Sequence, residues 1–222
     1  MSYQPPPDLR ARVLQATQER PSPTRFALER RRRLWLAAAL VPPGLAALMA
    51  RPWAISWPLP KVLALLASGA ATAAGLSWLG RAGPDAMRRS RPVLLGFALG
   101  APAVFLLLIA LSMDHTHDGA HGAEHLPCVA MTLLLSVVPL LAGLRSGRGG
   151  DPVHPGSLGA AFGATAGALA SVAATTVCRV VSPPHLLLAH GAPFLLVVAA
   201  GALLGGRWLA LRSPPSVPPS PG

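Results

Sequence analysis

Six apolar stretches constrain this chain more than any other feature. They lie near residues 34–50, 61–80, 92–113, 128–144, 157–178 and 185–206. A helix needs about 20 apolar residues to cross a hydrocarbon core roughly 30 Å thick. In lipid every backbone N–H and C=O must be bonded internally, so such stretches become helices, not open strands. The expectation is an all-α polytopic membrane protein with six transmembrane helices. The first stretch is the weakest, being short and carrying Pro42-Pro43-Gly44 at its centre. Neighbouring helices can re-satisfy the carbonyls such a break frees. Pro102, Pro139 and Pro193 are expected to kink their helices.

The charges divide about these stretches. Sixteen of the nineteen Lys and Arg residues fall on one side. They are Arg10, Arg12, Arg20, Arg25 and Arg30 to Arg33 before the first stretch, and Arg81, Arg88, Arg89 and Arg91 after the second. Arg145 and Arg148 follow the fourth, and Arg207 and Arg212 follow the sixth. Only Arg51, Lys61 and Arg179 fall on the other side. Cytoplasmic connections carry the excess of basic residues. Both termini are therefore expected in the cytoplasm and the bundle in the cell inner membrane. Trp35, Trp78 and Trp208, with Trp53 and Trp57, fall where helices end, at the headgroup level that amphipathic rings prefer. Three parts follow: a basic cytosolic tail at 1–33, a bundle at 34–210, and an unstructured Pro/Ser-rich tail at 211–222.

A net charge of +11 would ordinarily raise nucleic acid as a partner. Here the basic residues flank membrane helices, where they set orientation and meet anionic lipid. Membrane lipid is the expected partner and direct nucleic-acid binding is not expected. Only 12% of residues are charged, against about 25% in water-soluble domains. The polar lead is too long for the n-region of a cleaved signal peptide, and none is expected. The spans hold no acidic residue, and His190 is their only ionisable side chain away from the ends. That argues against a pump or a proton-driven transporter.

Small residues recur at four-residue spacing: Gly159, Gly163, Gly167 and Ser171, then Gly96 and Gly100, then Gly201 and Gly205. Such stripes let helix backbones approach closely in lipid. Packing within the bundle is the expected use, and a homodimer through the fifth span is the alternative. In the N-terminal tail, Pro7-Asp8 can start a helix whose short apolar edge is Leu9, Val13 and Leu14. So short a helix is marginal in water and gains by docking on a partner or the membrane surface.

The third connection, on the outer side, holds His115, His117, His121 and His125 among Asp114, Asp118 and Glu124. Neutral imidazoles beside carboxylates suit zinc or copper, so these four are tentative metal ligands. His121 to His125 also match a His-x-x-Glu-His protease pattern. Gly119 and Gly122 weaken the helix it needs, and no enzyme is expected. Cys128 opens the fourth stretch and Cys178 closes the fifth, both at the outer face. They can pair as a disulfide if their helices are neighbours, ligate metal beside His125 and His185, or simply fill space as small apolar residues. His190 is a packing histidine or a functional one.

In this layout the chain resembles the NrsF-like membrane anti-sigma factors, negative regulators of extracytoplasmic-function sigma factors. The resemblance rests on the basic tail, the six spans and the placing of Cys128 and Cys178. It rests also on the stretch from His154-Pro155 through the Gly/Ala-rich fifth span, then on His190 and the Gly-rich sixth span. It implies that the tail, with Leu9, Arg12, Val13 and Leu14, binds an extracytoplasmic-function sigma factor and holds it at the membrane. It implies also that Cys128 and Cys178 sense an envelope, redox, metal or light-derived stress, singlet oxygen included, with carotenoid genes among the targets. The His-rich loop departs from the family pattern. The rival expectation is a metal-handling or transport protein that captures ions on that loop.

Overall fold

Apolar side chains on both faces of a segment, with few charges, leave the helix as the way to bond its own backbone. The computed structural model describes residues 15, 25–54, 59–80, 89–112, 125–148, 152–178 and 182–210. Among these every long element is helical: α1 (Arg25–Ala54), α2 (Leu59–Leu79), α3 (Arg91–Ser112), α4 (His125–Gly147) and α5 (Pro155–Val177). A short α6 (Pro183–Leu186), a π-helical turn (Leu187–Gly191) and α7 (Ala192–Trp208) then run on as one rod. Each of the six apolar stretches thus falls on a helix. Three helices among the described residues are long and apolar enough to cross a membrane: His125–Gly147, Pro155–Val177 and Pro184–Trp208. Arg91–Val104 is apolar but shorter.

The first stretch does not break. α1 passes through Pro42-Pro43-Gly44 as one helix of 30 residues. Ala39, Pro43 and Ala46 are buried on one face of it, against α4 and α5. Packing on that face holds the axis where the proline pair removes two backbone donors.

α5 is the hub. It touches α1, α2, α3, α4 and α7, and every residue from Leu158 to Ala174 is buried. Its Ala/Gly-rich composition is the reason, because only small side chains let five neighbours reach one helix. The closest approach is to α7. A Cβ built on Gly159 would stand 2.1 Å from the Gly201 carbonyl oxygen, and one on Gly201 would stand 2.4 Å from that of Gly159. The stripe Gly159, Gly163, Gly167 is therefore filled by the chain's own last helix. A homodimer would need a different surface. Gly96, by contrast, has open space where its Cβ would be. It borders an apolar crevice of about 700 Å³ between α2, α3 and α5.

Many large side chains face outward. Leu99, Leu134 and Leu203 are about 70% exposed, while the buried part of α5 is mostly alanine and glycine, packed against leucines such as Leu76, Leu94 and Leu144 and against Phe194. The two ends of the bundle differ in chemistry. At one end Arg32 Nε donates to the Ser146 carbonyl at 2.8 Å, and the Arg145 guanidinium lies over the Trp35 ring at 5.7 Å. Arg89 donates to the carbonyls of Leu79 and Trp78 and lies 4.4 Å over the Trp78 ring. Leu209, just past α7, reaches the Gly147 end of α4. The N-terminal part of α1 and the end of α7 thus share the arginine end. The opposite end carries thiols and imidazoles.

Candidate functional site

α4 opens with His125, and Cys128 and Thr132 follow at spacings of three and four, which put all three on one helix face. Cys178 caps α5, its N–H bonded to the Ala174 carbonyl at 3.0 Å. His185 lies in α6 and His190 in the π turn. At 3.6 residues per turn, side chains five apart would diverge by about 140°. The π turn, with its extra residue, rotates His190 back toward His185, and the two rings meet edge to face at 5.7 Å. Pro193 explains the turn. It has no N–H to give the Ala189 carbonyl, and its ring would clash with that carbonyl in a regular helix. The Thr132 hydroxyl lies 3.5 Å from the freed oxygen.

The side chains converge. Cys128 Sγ and Cys178 Sγ are 3.6 Å apart and not joined as a disulfide. Cys178 Sγ lies 3.2 Å from His185 Nε2, and His185 Nδ1 lies 2.8 Å from His125 Nδ1. His185 and His190 are fully buried, whereas both cysteines are half-buried.

Hydrogen bonding at Thr132 assigns the tautomer of His190. The Thr132 hydroxyl donates to the Cys128 carbonyl at 2.9 Å, the usual back-bond of a helical threonine. Its oxygen therefore accepts at 3.1 Å from His190 Nδ1, which carries the proton. That leaves His190 Nε2 as a bare lone pair, buried and without a partner. An unsatisfied buried acceptor costs about 1–3 kcal/mol. For His185, Nε2 faces the Cys178 sulfur and Nδ1 faces His125 Nδ1.

The sequence raised Cys128 and Cys178 as possible ligands beside His125 and His185 and singled out His190 separately; the fold brings all five to one end of the bundle. Of the loop histidines, His125 is here, beside His185. His115, His117 and His121 lie outside the described residues, as do Glu124 and the tail residues Leu9, Arg12, Val13 and Leu14. Thr132 was not foreseen. Its only signal is its place one turn after Cys128.

The family model for negative regulators of sigma F matches residues 16–210. The match begins just after Leu9, Arg12, Val13 and Leu14 and takes in every residue of the cluster. No curated protein and no solved structure matches the chain. With a match over most of its length, from the foot of the basic tail to the end of the last helix, the chain belongs to the family of negative regulators of sigma F.

Proposed function

We propose that the chain is an inner-membrane anti-sigma factor without catalysis of its own. It sequesters an extracytoplasmic-function sigma factor on its cytosolic N-terminal segment and releases it when the thiol end meets an envelope signal. The observation that carries this reading is the family match over residues 16–210. Membership makes the chain a negative regulator of a sigma factor. The tail's apolar edge of Leu9, Val13 and Leu14, beside Arg12, suits a grooved, acidic helical partner. Cys128 and Cys178 suit the sensing role because their sulfurs are 3.6 Å apart and half-buried. Oxidation by a peroxide would take two electrons and two protons from them and close a disulfide between α4 and α5. Singlet oxygen attacks the same thiols and imidazoles.

The experiment is co-purification. Full-length chain extracted in mild detergent should carry a sigma factor with it, and substituting Leu9, Val13 and Leu14 together by alanine should cut the yield of that sigma factor at least tenfold. Undiminished capture by the substituted chain would remove the tail from the reading. Capture of no sigma factor by the native chain would remove the reading itself.

A further inference from the structure

Cys128, Cys178, His185 and His190 offer four donor atoms within 4.8 Å of one another. Ordinary zinc bond lengths in a tetrahedron give edges of about 3.8 Å between two sulfurs, about 3.6 Å between sulfur and nitrogen and about 3.3 Å between two nitrogens. The sulfur pair here is at 3.6 Å, and Cys178 Sγ to His185 Nε2 is 3.2 Å. These two edges are already near the spacing that one central ion imposes, and the remaining donors lie within 4.8 Å.

A second observation points the same way. His190 is fully buried, and its Nε2 has no hydrogen-bond partner although its Nδ1 is held by Thr132. A packing histidine has no need of a threonine that fixes its tautomer and leaves the other nitrogen bare. A metal ligand does, because imidazole coordinates through a lone pair whose direction is set by the bond at the opposite nitrogen. His185 also offers Nε2 on the cluster side, 3.2 Å from Cys178 Sγ, with His125 at Nδ1.

We propose that these four residues bind one Zn²⁺. The ion accepts two thiolates and two neutral imidazoles, and the two thiol protons leave to solvent with no change in oxidation state. Two thiolates cancel the dication, so no net charge is left in the apolar end of the bundle. All four positions are filled by protein, which makes the centre structural, with no open position for hydrolysis. Its ligands come from α4, from the end of α5 and from the α6–π segment, so the ion ties three helix ends together. The site stands on its own geometry. A chain that held a sigma factor and no metal would sink it and leave the regulator reading intact.

Co²⁺ is the probe. Full-length chain, purified in detergent, stripped of metal and kept under a phosphine reductant, should bind one Co²⁺ per molecule. The bound ion should show thiolate-to-cobalt charge transfer in the near ultraviolet and intense tetrahedral bands in the visible, both erased by equimolar Zn²⁺. Cys128→Ser should cut the charge-transfer band to half or less, since only the Cys178 thiolate remains, and His190→Gln should weaken the tetrahedral bands. Replacing His115, His117 and His121 by alanine should change neither. The charge-transfer intensity of the native chain counts thiolates by itself, so the test holds even if a variant fails to fold. Absence of that band in the reduced native chain, or its undiminished intensity in folded Cys128→Ser, overturns the proposal. So does cobalt binding that vanishes with the three loop histidines.

Discussion

Thr132 is the residue on which the cluster's chemistry turns. One hydroxyl proton is committed to the Cys128 carbonyl, and the same oxygen fixes the Nδ1 proton of His190. Thr132→Val keeps the shape and removes both bonds. If the ring is a ligand, losing its orienting partner should lower Zn²⁺ affinity about 10–100-fold. Thr132→Ser, which keeps the hydroxyl, should restore most of it. Competition against a chromophoric chelator measures both. Equal affinities for the native and valine chains would mean that His190 is oriented by packing alone. Little of this was legible in the sequence. A cysteine at the start of one span and another at the end of the next place both sulfurs at one depth, because antiparallel helices bring those ends together. A threonine inside an apolar run carries no such mark: its role depends on a carbonyl and a ring from an element 57 residues or more away.

At the scale of elements, the α5–α7 pair holds the fold. The four-residue glycine spacing was visible as a packing stripe, but its partner was not, since spacing says that a backbone approaches and not whose. The structure gives the partner as α7, with Gly159 and Gly201 facing each other. Gly159→Ala would force backbone apart, because its Cβ would stand 2.1 Å from a carbonyl oxygen that cannot rotate away. Overpacking of this kind costs about 1–3 kcal/mol. Gly96→Ala meets open space and replaces the residue of poorer helix propensity, so it should be neutral or stabilising by up to about 1 kcal/mol. Thermal unfolding of the two variants in detergent, followed by helical circular dichroism, should separate them in that order. Equal midpoints would mean that α5 and α7 are not in this register. The π turn was the element least open to sequence reasoning. Pro193 announced a kink, but a kink and an inserted residue look alike in sequence, and only the insertion turns His190 toward His185.

The whole molecule is polar along its axis and turned inside out across it. Alanine and glycine dominate the central helix α5 while many leucines lie exposed on the flanks, which in water would expose far more apolar surface than a soluble protein carries. Lipid removes that objection, as its chains are as apolar as the leucines. Along the axis, Arg32, Arg89 and Arg145 gather at one end and His125, Cys128, Cys178, His185 and His190 at the other. Basic residues are retained on the cytoplasmic side during insertion. If the arginine end is cytoplasmic, the tail that precedes α1 lies where a sigma factor is and the thiols lie where oxidants and free metal arrive. If it is not, the proposal for regulation does not survive, because the tail and its partner would be on opposite sides of the bilayer. Reporter fusions decide between these. A phosphatase that is active only after export, joined after residue 212 or before residue 34, should stay silent, and joined within 113–124 it should be active. A reporter that is silent only after export should show the reverse. Activity of the exported phosphatase at either terminus would invert the axis, and the three basic residues of the outer side, not the sixteen, would then face the chromosome.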